Sequence, residues 1–463
     1  MKRTSICPLL LSFAWPLIGC TGEPPDGNAD DGESVSTDSS GSTGNPLETT
    51  STGPVTSGES DGTDSDSDAS SSGNADSSSS GGEDPPEPPR EPGVLPDPPE
   101  NCAVDFLEFP IAQDFSFFEP EAFSIGTGAE VAVLGTRFDV QDFANIITSS
   151  EVLYGTFQDG PIWSRTVHDE DQTAFLTSIA VLPSSDVALS FSTLFTSEVQ
   201  ALRGSDGELL LREAPAYLRE VAALPRATSF AGIAEGLSAE GDSDGAVVRI
   251  AMDGSWEGEG FPFGGEDEDA GMFLRLDTDG RGIAVAASRT SGFGSEVGWW
   301  SNDVDFALGG SPLTLPSTFH PGPDFLRDAA FDPVTRVLYV FAETSYTSES
   351  YFVAAYDEDH QLLWQEASPW SQQRGVGVDD AGRPWAAGRD ETTDSLKVWA
   401  LSNDGFSTVY EQGDGSGVLA DGFGFPQYLE VGPSGNIFVM SLQPPPDPSQ
   451  FAETLQVARI DCD

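Results

Sequence analysis

Residues 101–463 read as an all-β fold built from one small sheet repeated along the chain. Three observations predict it. Short apolar or alternating runs are separated by turn dipeptides such as Asp206-Gly207, Asp279-Gly280 and Asp404-Gly405. No long amphipathic segment with a 3.6-residue period interrupts them. A strand–turn–strand phrase returns at a mean spacing of about 51 residues.

The repeat is clearest from Arg374. Arg374–Gly382, Arg383–Gly388, Ser395–Ser402 and Phe406–Tyr410 read as four successive strands with their turns. The second strand of the phrase starts near Glu130, Asp186, Thr228, Gly282, Arg336, Arg383 and Asn436. The third recurs as Glu198–Leu202, Ala246–Ile250, Tyr351–Ala355 and Leu455–Arg459. Four short strands at a period of roughly 40–50 residues indicate the blade of a β-propeller. Seven four-stranded blades are expected, with six or eight as the alternatives. No Trp-Asp dipeptide recurs, so the repeats carry no named motif.

The two ends of this region complement each other. The last repeat supplies strands at Gln427–Val431, Asn436–Leu442 and Thr454–Asp461, one short of a blade, while Ala103–Phe109 is a spare strand at the start. Adding it to the last repeat would close the ring and remove two open sheet edges. Cys102 and Cys462 would then be neighbours, and a disulfide between them is expected in an oxidising compartment.

The residues before 101 have a different character. Met1, Lys2 and Arg3 precede an apolar run from Ile6 to Ile18, too short to span a bilayer and punctuated by Pro8 and Pro16. Residues 1–19 are therefore expected to be an export signal. The run ends in Leu17-Ile18-Gly19-Cys20, which resembles the bacterial lipobox, although Ile18 is a less usual choice. That resemblance implies cleavage before Cys20 and acylation of its thiol, giving a lipid anchor in the membrane. Residues 20–100 form a stalk in this reading. From residue 21 onward it lacks Phe, Trp and Tyr and holds 19 acids against one base, Arg90, so it cannot bury a core and repels itself. Its last part, Pro85–Pro99, favours polyproline II.

Taken together, the chain resembles exported bacterial lipoproteins with a Ser/Thr/Gly/Asp-rich stalk and a C-terminal β-propeller. The resemblance implies anchoring to the cell envelope. Thr21 stands where an inner-membrane retention aspartate commonly follows the cysteine, so the outer membrane is the expected destination.

Charge narrows the function. The 463 residues carry 77 acidic and 20 basic side chains, a net of −57, and the region from 101 retains −41 with a single lysine, Lys397. Nucleic acid is excluded as a charge-recognised partner. The expected partners are a protein, a glycan or a small anionic ligand, and the expected state is a monomer.

Catalytic signatures are sparse. His168, His320 and His360 fall in different repeats without metal-ligand spacing and read as surface loop residues. Gly241–Gly245 matches a nucleophile-elbow pattern by letter, but an acidic turn here runs into a strand where the elbow needs a helix. Glu266–Asp269 reads as an exposed acidic loop and Asp277–Gly280 as a hairpin turn. Trp299-Trp300 could stack a sugar but fits packing between blades better. No cofactor, metal site or catalytic residue is expected.

One repeat position is different. Aligning the repeats on their first turn puts Thr177, Arg219, Met272, Arg327, Arg374 and Gln427 at equivalent places, at the start of the innermost strand. Three arginines in six suggest an anion-binding mouth, because a guanidinium offers two parallel donors to carboxylate, phosphate or sulfate. Pairing of each arginine with a carboxylate of the next blade is the competing explanation. Binding without catalysis is thus the favoured function, and a propeller-type lyase or hydrolase with a metal or carboxylate site at the channel mouth is the alternative.

Overall fold

A computed structural model describes residues 90–462, apart from 112–115, 143–144, 169–175, 193–196, 214–217, 225–228, 238–242, 256–260, 264–267, 277–281, 291–293, 302–324, 333, 344–350, 358–360, 369–371, 391–394, 412–428 and 444–453. The signal, Cys20, most of the stalk, His320, His360 and Asp277–Gly280 lie outside the described residues.

Every regular element among them is a β-strand. Blade A holds β2 (Ser116–Ile125), β3 (Glu130–Asp142), β4 (Asn145–Thr156) and β5 (Gly160–His168). Blade B holds β6 (Leu176–Val181), β7 (Val187–Ser192), β8 (Ser197–Leu202) and β9 (Leu209–Glu213). Blade C holds β10 (Leu218–Ala223), β11 (Phe230–Leu237), β12 (Ser243–Ile250) and β13 (Phe261–Phe263). A three-stranded sheet follows, β14 (Glu268–Leu276), β15 (Gly282–Thr290) and β16 (Gly294–Ser301). Blade D is β17 (Phe325–Asp332), β18 (Val337–Glu343), β19 (Tyr351–Tyr356) and β20 (Leu362–Ala367), and blade E is β21 (Gln372–Val378), β22 (Pro384–Asp390), β23 (Ser395–Ser402) and β24 (Gly405–Glu411). Blade F takes β25 (Leu429–Val431), β26 (Ile437–Gln443) and β27 (Thr454–Cys462), and completes itself with β1 (Cys102–Pro110). All pairings among the described residues are antiparallel, and all join strands adjacent in chain order except that of β1 with β27. The structure therefore has six four-stranded blades where seven were expected. The remaining sheet has three strands among the described residues, and residues 302–324, which follow it, lie outside them.

The innermost strands meet in the order β2, β6, β10, β14, β17, β21, β25, and β25 meets β2 again, so the sheets form a closed ring. Alternation puts one row of each strand toward each neighbouring blade, which is where the core lies. Phe123, Val131, Phe438 and Val457 pack between blades F and A; Leu134, Val152, Val187 and Phe191 between A and B; Tyr339, Phe341, Val376 and Ala386 between D and E. Polar links join innermost strands across the A–B, B–C and D–E junctions. Val181 N–H donates to Ser124 Oγ (3.2 Å), Val221 N–H to Ser178 Oγ (3.1 Å) and Val376 N–H to the buried Asp328 Oδ2 (2.8 Å).

Closure follows the expected route. Residues 102–110 pair with 454–462 over nine registers, with Cys102 opposite Cys462, and the two thiols form a disulfide (S–S 2.02 Å).

In five blades the innermost strand runs into a tight turn with a positive φ one or two residues before the second strand, at Ala129, Ser185, Arg336, Gly382 and Gly435. The same backbone bond closes four of them, as when Gly382 N–H donates to Asp379 O (2.8 Å). These turns, and those joining third to fourth strands, lie at one end of the ring, called here the turn end. The innermost strands begin at the opposite end.

Candidate functional site

The repeat position singled out in the sequence has a backbone signature. Pairing of β10 with β11 skips Arg219, and the corresponding pairings skip Met272, Arg327 and Arg374. Each is the extra residue of a β-bulge at the start of an innermost strand, a feature that redirects side chains and recurs beside binding sites. Thr177 occupies the same place in β6 without a bulge, paired with Phe191, and Gln427 lies outside the described residues. The three arginines thus share one register at one end of the ring. Their side chains lie outside the described residues.

Sequence reasoning missed a fifth member. The β2–β3 pairing skips Glu121 in the same way. Glu121 stands eight residues before Ala129, as Arg374 stands before Gly382, so extending the alignment to the first repeat would have found it. Glu121 Oε1 accepts a hydrogen bond from Thr136 Oγ1 (2.5 Å). Beside it, Glu119 is partly buried, and burial together with the Glu121 charge pushes its carboxyl up to about 7. The bulge is made room for by Gly135 on β3, where a Cβ would press on the Glu119 carbonyl and the Phe118 ring. Close by in blade A, Arg137 Nε pairs with Glu151 (2.5 Å) and its Nη1 donates to Ile111 O (2.9 Å), both side chains being almost fully buried. The innermost-strand starts therefore carry a carboxylate pair on blade A and arginine positions on blades C, D and E.

Other sequence candidates resolve differently. His168 was expected on a surface loop, but it ends β5, is 7% exposed, and packs on the Phe191 ring at 5.0 Å. Its strand register, opposite Ser150, carries it between blades A and B. Ser243–Gly245 open strand β12, so no nucleophile elbow forms. Trp299 and Trp300 lie on β16, opposite Val285 and Ala284. Glu268 and Asp269 begin β14, while Glu266 and Asp267 are outside the described residues.

No family model and no curated protein matches this chain. Solved structures do resemble it. One is the β-propeller domain of Cps50 (Swd1) from Myceliophteria thermophila, with a TM-score of 0.44, 10% identity, and coverage of 76% of this chain and 99% of that one. The Dos1 propeller gives 0.47 at 8% identity, covering 77% and 95%. The acylaminoacyl peptidase of Pyrococcus horikoshii gives 0.43 at 10%, covering 70% of this chain and 49% of the peptidase. At such identities the likeness concerns fold alone.

Proposed function

We propose that this chain is a binding or scaffold module, a β-propeller presented on an acidic stalk that is lipid-anchored at Cys20 to the cell envelope, at the outer membrane. In this reading the β14–β16 sheet is itself a blade, making seven. The observation that carries the binding function is the shared bulge register of Arg219, Arg327 and Arg374. A basic focus inside an acidic surface admits a small anionic group and repels large polyanions. The ligand class is an acidic peptide end, an acidic glycan or another small anion.

Thermal-shift screening of acidic peptides and uronic-acid oligosaccharides against wild type and Arg327→Ala/Arg374→Ala tests the site. A ligand that raises the melting temperature of wild type and not of the double variant is expected. A ligand that stabilises both equally would remove the arginines from the site. For the anchor, Cys20→Ser should move the protein from the membrane fraction to the soluble one, and retention at wild-type levels would refute acylation there.

One observation favours a second reading. Glu119, partly buried beside Glu121, has the raised proton affinity that an acid–base carboxylate needs, which suits a propeller-type lyase or hydrolase. Glu119→Gln would abolish any such turnover while leaving anion binding in place.

A further inference from the structure

The segment Arg90–Pro99 does not behave as stalk. Glu91-Pro92-Gly93-Val94 forms a turn closed by Val94 N–H donating to Glu91 O (3.2 Å), with Gly93 at φ +78° as the third residue of a type II turn requires. Arg90 reaches into the turn that follows β17. Its Nη2 donates to Asp332 Oδ1 (3.2 Å) and its Nη1 lies 3.2 Å from Oδ2. Asp332 is 1% exposed and already caps its turn, accepting from Val334 N–H (3.0 Å) and Thr335 Oγ1 (2.6 Å). A carboxylate so deeply placed needs a cation, and Arg90 supplies it. Gly382, in the equivalent turn of blade E, leaves the room: a Cβ there would fall on the Arg90 guanidinium.

Further along, Leu95 is buried among Val337, Tyr339 and Val376. Its backbone is held from both sides by one amide, Asn403 Nδ2 donating to Leu95 O (3.1 Å) and Leu95 N–H to Asn403 Oδ1 (3.4 Å). Arg383 Nε then donates to Asp97 O (3.1 Å). Asp332, Gly382, Arg383 and Asn403 all belong to turns at the turn end of blades D and E. β1 begins at that same end, where Cys102 meets Cys462.

We propose that Arg90–Pro99 is a clasp that fastens the upstream chain to the turn end of the propeller and so leaves the opposite end, with Glu121, Arg219, Met272, Arg327 and Arg374, as the interaction face. The clasp stands on its own contacts. The identity of the open face as a ligand face rests on the binding reading above. Tension on the stalk would reach blades D and E before it reaches the closing strand β1, so the ring is loaded through a packed core and not through its seam.

Hydrogen exchange on the full chain tests the clasp without any ligand. The amides of Val94 and Leu95 should exchange at least tenfold more slowly than in an unstructured chain. Arg90→Ala/Asn403→Ala should abolish that protection while peptides from β22 and β23 keep theirs, and Val94→Ala, at an exposed position, should change neither. Exchange at the unstructured rate in wild type, or protection that survives the double variant, would overturn the clasp. A photo-crosslinking residue at Glu91 reads the geometry directly. Cross-links to residues 332–336 or 379–383 are expected, whereas cross-links to the strand-start end would overturn the assignment of the exit. Failure of the thermal-shift screen would sink the ligand face and leave the clasp standing.

Discussion

Glu119 shows how one residue can carry both a stability effect and a functional question. Its carboxyl is raised in the folded protein from 4.5 to about 7, first by burial and then by Glu121. The fold therefore favours the protonated form. The associated stabilisation is fully present below pH 4.5 and is lost as the pH rises through 7. Glu119→Gln keeps the shape without the charge. The variant should be more stable than wild type at pH 8, by less than about 1 kcal/mol because solvent screens a partly exposed group, and should melt correspondingly higher. The gap should close by pH 4.5. Equal melting at pH 8 would mean that a counter-charge already serves the carboxylate. At this scale the sequence was uneven as a guide. Arg90 stood out as the one base among 19 acids, and its pairing with the buried Asp332 gives it a structural role, yet composition alone assigned it to the stalk. His168 read as a loop residue because it sits beside Asp169-Glu170-Asp171, and only strand register turned it inward.

Among elements, the hairpins were the most legible. The second strands begin at Glu130, Val187, Phe230, Gly282, Val337, Pro384 and Ile437, within two residues of where the repeat put them. Turn chemistry explains this accuracy, since the positive-φ position and its flanking alternation are local. The bulges were not legible, because a skipped residue is defined by the partner strand and leaves the one-dimensional pattern almost unchanged. The closing element can be tested. The Cys102–Cys462 bridge spans 360 residues, and chain-entropy arguments assign such a loop roughly 6 kcal/mol, an upper value where the strand ladder beside it persists. Cys102→Ser/Cys462→Ser should lower the melting temperature by several degrees with the β1–β27 ladder intact. An unchanged melting temperature would show that the ladder alone holds the ring shut.

The whole molecule is shaped by charge as much as by packing. Residues 101–463 carry a net of −41, and few of the acids have cationic partners to meet. Counter-ions screen such repulsion within about 10 Å at 0.1 M salt. Melting temperature should rise with added sodium chloride, and more steeply with magnesium or calcium at equal ionic strength. A flat response to both would mean that the acids are spaced widely enough to ignore one another. The ring geometry bears on this, because it spreads the blades' outer strands around a circumference and gathers only the innermost ones.

The sequence by itself determined the strand class, the repeat length, the spare first strand and its cysteine partner. All of these depend on side-chain alternation and turn residues close together along the chain. The tertiary structure alone decided that the repeat position with three arginines is a bulge and that His168 is buried. It alone also fastens Arg90–Pro99 to the turn end. Each of these is a relation between residues distant in sequence, set by strand register and by which blades become neighbours when the ring closes. A period read along one chain contains neither of those quantities.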